Sequence, residues 1–338
     1  MSRRSLGLRL WLPLLGLPFI AAALAAFIAW RWLDSPLPLA APTAELSIEA
    51  GTTPRAVAQA WVDAGVQTSP DFLFAWFRVS GDARRIRAGS YEIETGTTPR
   101  QLLAKLVQGD ETLEQVRITE GWTLRQLRAA LAQAPHLKPA TAGMSETQLM
   151  AALGVPGMPG EGRFFPDTYR YSRGVSDLTV LKRAHATMQR RLTETWAQRN
   201  PDTPLKSADE LLTLASIVEK ETGLPSDRGL VAGVFINRLR IGMPLQTDPT
   251  VIYGLGEAFD GNLRRRDLET DTPFNTYTRR GLPPTPISMP GLASLRATLN
   301  PAPTRALYFV ARGDGSSVFS ENLADHNRAV NKYQRGLP

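Results

Sequence analysis

Hydrophobic and polar positions divide the chain into stretches with different periods. Residues 10–30 carry no charged side chain at all. At about 1.5 Å per residue such a run is long enough to span the hydrocarbon core of a bilayer. Arg3, Arg4 and Arg9 precede it, and the positive-inside tendency places residues 1–9 in the cytoplasm and the rest of the chain on the far side. Trp11 and Trp30 stand at its two edges. Small residues over 21–26 offer cleavage patterns of a secretory signal, but the apolar run exceeds the usual signal core of about 7–15 residues. An uncleaved transmembrane helix is expected, followed over 31–44 by a linker containing the Pro-rich stretch SPLPLAAPTA.

Beyond the linker the pattern repeats. GTTPR occurs at 51–55 and again at 96–100. Each copy follows a short alternating stretch, LSIEA or YEIET, and precedes a segment with apolar residues at helical spacing. EGWTLRQLRAAL at 120–131, after EQVRIT, is a looser third copy. Each unit predicts strand, tight turn, helix start and helix. Three unequally spaced copies do not make a solenoid. The unit resembles LysM-type glycan-binding modules, and it is equally readable as plain α+β scaffold that presents no ligand surface.

Two further helices carry the candidate chemistry. The first is predicted over 207–222, with Ser207 as N-cap, Asp209 and Glu210 in the first turn and Gly223 past the end. Leu211, Leu214, Ala215, Ile217 and Val218 form its apolar stripe. Glu219 and Glu221 are two positions apart, so they point to different flanks and cannot work as one pair. Glu221 rides on Ile217 and Val218, Glu219 on Ala215 and Ser216. Desolvation therefore favours Glu221 as the carboxyl that stays protonated near neutral pH, which is what general-acid attack on a glycosidic oxygen requires. Periodicity alone leaves both glutamates open, together with the reading that each is a solvated or capping carboxylate.

After the second helix, Asn237, Arg238, Gln246, Thr247, Asp248 and Tyr253 supply amides, hydroxyls and an aromatic face within a short stretch. Taken singly, Asn237 and Arg238 read as a helix end, Asp248 before Pro249 as a turn residue and Tyr253 as a half-buried strand residue. As a set beside Glu221 they favour a sugar-binding cleft. Asn275 and Tyr277 open a Gly- and Pro-rich loop of the kind that carries ligands or closes a site.

The strings VEKET, VFINRLRIGMPLQTDPTVIYGLG and FNTYTRRGLPPTPISMPG, with EGRFFPDTY at 161–169 and HNRAVNKY near the end, together resemble the endolytic murein transglycosylase, or YceG-like, family. The resemblance runs from the expected anchor to the C-terminal helix. It implies an inner-membrane enzyme with its catalytic domain in the periplasm, cutting peptidoglycan glycan strands internally near nascent strands and cell-wall synthases. It assigns the catalytic glutamate to Glu221, and it implies lower-ranked glycan contacts at Glu161, Asn275 and Tyr277. IVEKET also resembles the signature of lysozyme-like lytic transglycosylases, with Ile217, Glu221 and Thr222 in the matching places. Arg163 departs from the family pattern, which has an aromatic or aliphatic residue there. Phe164 and Phe165 read as core and Asp167 as a turn cap.

Composition narrows the alternatives. Of the net charge of +7, Arg3, Arg4, Arg9 and Arg31 against Asp34 leave +3 in the first 34 residues, so only +4 is spread over the remaining 304. That is a modest positive surface for anionic lipid or an acidic polymer, with no nucleic-acid partner expected. Cysteine is absent, which excludes disulfides, thiolate chemistry and Cys-based zinc sites. His136, His185 and His326 stand apart, without the spacing of a metal site or triad, and no cofactor is expected.

The architecture expected is α+β: the transmembrane helix, a small LysM-like subdomain over 45–113, and a larger mixed α+β catalytic domain over 114–338 with a lysozyme-like catalytic helix. A rival reading is a membrane-tethered peptidoglycan-binding or scaffold protein that does not cut. A hydrolase would need a second carboxylate, for which Asp248 and Glu219 are the close candidates.

Overall fold

The computed structural model describes residues 12–336, without the side chains of residues 12–21 and 25. The expected cytoplasmic segment 1–9 and the first two residues of the expected span, Leu10 and Trp11, lie outside it. The described residues form two compact units, one of residues 12–114 with 171–174, the other of 115–170 with 175–336.

The first unit begins with helix α1 (Leu12–Leu33). Among the described residues no helix is long and apolar enough to cross a membrane, and much of the expected span lies outside the side chains described. Next come β1 (Thr43–Ile48), α2 (Pro54–Asp63), α3 (Pro70–Val79), β2 (Gly89–Glu94) and α4 (Pro99–Gln108). β1 and β2 pair antiparallel, Thr43 opposite Glu94 and Ile48 opposite Gly89. The two GTTPR copies do the same work twice. Thr53 and Thr98 are N-caps in extended backbone, with a proline in the first turn behind each, and their hydroxyls accept from the backbone N–H of Ala56 and Gln101. Trp61, Leu73, Phe77, Tyr91, Leu102 and Leu106 fill the core of this unit. The Pro-rich stretch expected as a linker makes contacts with this unit. Leu37 is buried and donates its N–H to Thr97 O at 2.8 Å, and Ala40 N–H donates to Gly65 O at 2.9 Å. Its prolines do not prevent this, because the donors used belong to the residues between them.

β3 (Leu113–Arg117) and β4 (Thr168–Ser172) pair with each other, and the chain passes between the units within these strands. The second unit holds α5 (Leu124–Gln133), α6 (Glu146–Ala152), α7 (Asp177–Trp196), α8 (Ala208–Glu221), α9 (Arg228–Arg240), α10 (Asp248–Leu255), α11 (Arg265–Glu269) and α12 (Leu292–Leu299). The hairpin β5 (Tyr308–Ala311) and β6 (Ser317–Ser320) and α13 (Leu323–Gln334) complete it. The third repeat copy is capped like the others, Thr123 accepting from Gln126 N–H.

α8 is the axis of this unit, packed by α7, α9, α10 and α12. Ser207 caps it as expected, accepting from Glu210 N–H at 3.1 Å. Its burial exceeds the predicted stripe, because every residue from Leu211 to Val218 is buried. The polar positions inside that stretch are satisfied: Ser216 Oγ donates to Thr213 O at 2.7 Å and accepts from Ile287 N–H at 3.0 Å. A helix paired so on every side can sit inside a core rather than on its surface. Phe164 and Phe165 are core residues and Asp167 Oδ1 accepts from Thr168 N–H at 2.7 Å. The residues around Tyr253 are helical, not a strand, because Thr247 and Pro249 start a helix there.

Candidate active site

The end of α8 and the start of α10 meet at one carboxyl group. Glu221 is the last residue of α8, and Thr222 closes the helix by returning its N–H and hydroxyl to Val218 O at 3.1 and 2.7 Å. Thr247, the N-cap of α10, is buried and donates its hydroxyl to Glu221 Oε1. Thr247 is in turn gripped from behind. Its N–H donates to Thr276 Oγ1 at 3.1 Å, Thr250 Oγ1 donates to Thr247 O at 2.7 Å, and the hydroxyls of Thr250 and Thr276 lie 2.9 Å apart. Each hydroxyl has a partner, so the group facing Glu221 is fixed in orientation.

Burial pushes the Glu221 carboxyl above its ordinary range; the Thr247 hydroxyl opposes that, the Asp248 carboxylate adds to it, and the Arg238 guanidinium opposes it. The α10 N-terminus also favours the anion, yet desolvation wins. Glu219 points elsewhere: its Oε2 accepts from Gly291 N–H at 2.9 Å and its Oε1 lies 4.0 Å from Arg228. The two glutamates occupy different flanks, Glu219 engaged by Gly291 and Arg228 and Glu221 by Thr247.

Around Glu221 the structure gathers Arg238, Thr247, Asp248 and Tyr277. Asp248 is exposed, and its Oδ1 accepts from Tyr277 hydroxyl at 2.6 Å. Burial and this neighbouring carboxylate together push the Tyr277 phenol up. Arg238 is buried beneath, donating to Leu307 O at 2.7 Å and Leu245 O at 2.6 Å with its guanidinium over the Tyr308 ring. Gln246, between the two anchored residues Leu245 and Thr247, sits at φ +47 with its side chain exposed. A left-handed conformation at a residue other than glycine is strained and persists only where its surroundings impose it, as the clamps on both neighbours do here.

Like Arg238, two more of the predicted contacts are turned inward. Asn237 donates its amide to Thr304 O and Ala306 O at 2.9 and 3.1 Å. Asn275 is buried and donates to Leu268 O at 3.0 Å and Thr270 O at 2.7 Å, while its Oδ1 accepts from Tyr277 N–H at 2.9 Å. Both side chains hold backbone in place, and Asn275 holds the loop that carries Tyr277.

Glu161 and Tyr253 meet on a neighbouring groove of about 950 Å³, walled by residues of α5 and α10 with Lys220, Phe259 and Ile287. Glu161 is buried, accepting from Leu124 N–H at 3.0 Å, Gly162 N–H at 3.2 Å and Tyr253 hydroxyl at 3.2 Å. Burial dominates those three donors and pushes its carboxyl up to about 7. This carboxyl is raised in the folded state, so the stability it confers is full below pH 4.5 and lost as pH rises toward 7. We expect the second unit to be less stable at pH 7 than at pH 4.5 by about 3 kcal/mol from this group. The difference between the two pH values should shrink by that amount in Glu161→Gln, read as urea midpoints.

Thr250 and Thr276 are members of the site that sequence reasoning did not single out. The only signal was their spacing around TDPT and FNTYT, which does not reveal that two loops converge. For Thr247→Val, losing the hydroxyl that stabilises the Glu221 anion raises its proton affinity further. The high-pH limb of the activity profile should therefore move upward, measured as kcat/KM against pH.

The model of the YceG-like family matches residues 46–332. The chain is 33% identical over 308 residues to a protein of Bacillus subtilis (strain 168) named endolytic murein transglycosylase, covering 86% of this chain and 85% of that one. It is 28% identical to the protein of the same name from Streptococcus pneumoniae serotype 2 (strain D39 / NCTC 7466), spanning 60% of that longer chain. A crystal structure of a yceG-like protein from Listeria monocytogenes matches with a TM-score of 0.53 at 29% identity, covering 85% of this chain and 98% of that one.

Proposed function

The chain belongs to the YceG-like family, and on that premise we propose that it is an endolytic murein transglycosylase acting through Glu221. The protonated Glu221 carboxyl gives its proton to the oxygen joining N-acetylmuramic acid to N-acetylglucosamine, and the C1–O bond breaks. The C6 hydroxyl oxygen of the muramoyl ring bonds to C1, and its proton passes to the Glu221 carboxylate, restoring the acid. The products are a 1,6-anhydro end and a free 4-hydroxyl; no water is consumed. The observation that carries this reading is the Glu221 carboxyl, its proton affinity raised by burial and its Oε1 met by the Thr247 hydroxyl. Such a cycle needs one group able to be acid and then base, and Glu221 has the raised proton affinity for the first role.

Gln246, Asp248 and Tyr277 are the groups that line the approach to Glu221, and Tyr253 and Glu161 line the groove beside it. These are our candidates for glycan contacts. Arg238, Asn237 and Asn275 support them from behind. The uncharged run 10–30 anchors the chain in the inner membrane, N-terminus inside and both units in the periplasm, beside nascent strands and their synthases. The βααβ order of the first unit favours a LysM-like module.

The test is mass spectrometry of peptidoglycan digested by the detergent-solubilised full chain. Anhydro-muramoyl ends within long strands are expected. Reducing ends would make it a hydrolase with Asp248 as second carboxylate, and folded protein that binds glycan without cutting would make it a scaffold.

A further inference from the structure

Helix α3 has two apolar faces where a water-soluble surface helix has one. Leu73 and Phe77 enter the core of the first unit and are fully buried. On the opposite side Phe72, Ala75, Trp76 and Val79 recur at spacings of three and four, so they form a second stripe. Phe72 is 63% exposed and Val79 83% exposed, a large apolar area for one face of a helix.

The stripe faces α1. Phe72, Ala75, Trp76 and Val79 form one wall of an apolar groove of about 600 Å³, and Ile28, Ala29, Trp32 and Leu33 form the other. The rings of Trp32 and Phe72 meet edge to face at 6.1 Å. Trp76 donates its indole N–H to Pro99 O at 3.1 Å, so its polar atom is satisfied by protein and its ring can meet an apolar medium.

What covers the groove follows from depth along α1. Ile28 and Ala29 belong to the uncharged run that ends at Trp30. A bilayer that takes up that run therefore reaches one wall of the groove, and the other wall stands at the same level. α1 cannot carry the groove away, because Asp34 is paired with Arg100 at 2.8 Å and Leu37 is buried in the unit just beyond the helix end. Arg31 and Arg78, both exposed, flank the apolar surface as phosphate partners do at a membrane interface.

We propose that α3 is an interfacial helix whose Phe72, Ala75, Trp76 and Val79 face is immersed in the lipid leaflet from which α1 emerges. This rests on the anchor reading above. It makes the first unit a platform fixed on the membrane rather than a module swinging on a tether, with the face about 5–10 Å into the boundary between headgroups and acyl chains.

The chain contains no cysteine, so single substitutions Phe72→Cys, Val79→Cys, Leu24→Cys and Ala104→Cys each give one site for a nitroxide label. The labelled full chain is reconstituted in phosphatidylethanolamine and phosphatidylglycerol vesicles, and power saturation compares collision with oxygen, which concentrates in lipid, against a water-soluble nickel chelate. Labels at 72, 79 and 24 should collide more with oxygen than with the chelate, and the label at 104 the reverse. Labels at 72 and 79 that favour the chelate, while 24 favours oxygen, would leave the anchor standing and overturn the proposal. A chelate preference at 24 as well would remove the anchor reading and the proposal with it. Dipolar broadening at 79 that disappears on dilution with unlabelled chain would assign the groove to a second copy and also overturn it.

Discussion

Glu221→Gln should abolish strand cleavage, lowering kcat/KM by about 10³-fold or more while the protein stays folded and still binds glycan. Glutamine keeps the size of the side chain and an oxygen to accept from Thr247, so the fold of α8 and the Thr247 contact survive. It cannot release a proton to the leaving oxygen or accept one from the C6 hydroxyl, so both halves of the cycle fail at one atom. The informative companion is Glu219→Gln, two residues earlier. Glu219 uses its carboxyl on Gly291 N–H and lies beside Arg228, and a glutamine oxygen can still accept the first bond, so activity should fall by no more than a few-fold. Release of anhydro-muramoyl products, quantified by mass spectrometry, separates the two. Loss with Glu219→Gln and retention with Glu221→Gln would move the acid to the other flank of the helix.

Asn275→Ala should be the most destabilising substitution near the site. It removes an amide that donates to backbone carbonyls of the segment 267–270 and accepts from Tyr277 N–H, all in a position that is 1% exposed. Carbonyls left without a donor in a dry setting keep their desolvation penalty, so the loss should reach about 2–4 kcal/mol. For a unit of this size that lowers the unfolding midpoint by about 5–10 °C in differential scanning calorimetry. Activity should fall too, because the loop that presents Tyr277 to Asp248 loses its brace. A midpoint unchanged within a degree or so would show that the loop is held by its packing instead.

Several features were legible along the chain because they depend on neighbours in sequence. Ser207, Thr53, Thr98 and Thr123 cap helices through bonds spanning three residues, which is why the GTTPR copies and the start of α8 could be read directly. The angular separation of Glu219 and Glu221 is likewise a property of one helix. Local pattern could not show that Asn237 and Asn275 face inward, because their partners at 304–306 and 267–270 come close only through the fold.

By itself, then, the sequence determined the helix carrying Glu219 and Glu221, the flank on which each glutamate lies, the repeated capped units and the uncharged N-terminal run, all written in short-range periodicity and capping chemistry. Tertiary structure decided the rest. Burial raises the Glu221 carboxyl, Thr247 arrives from another helix to donate its hydroxyl to it, and Thr250 and Thr276 fix that hydroxyl. Packing of residues 37–40 onto the first unit holds α1 beside α3. A proton affinity depends on which groups are brought into a dry space together, and contacts far apart in sequence are what bring them there.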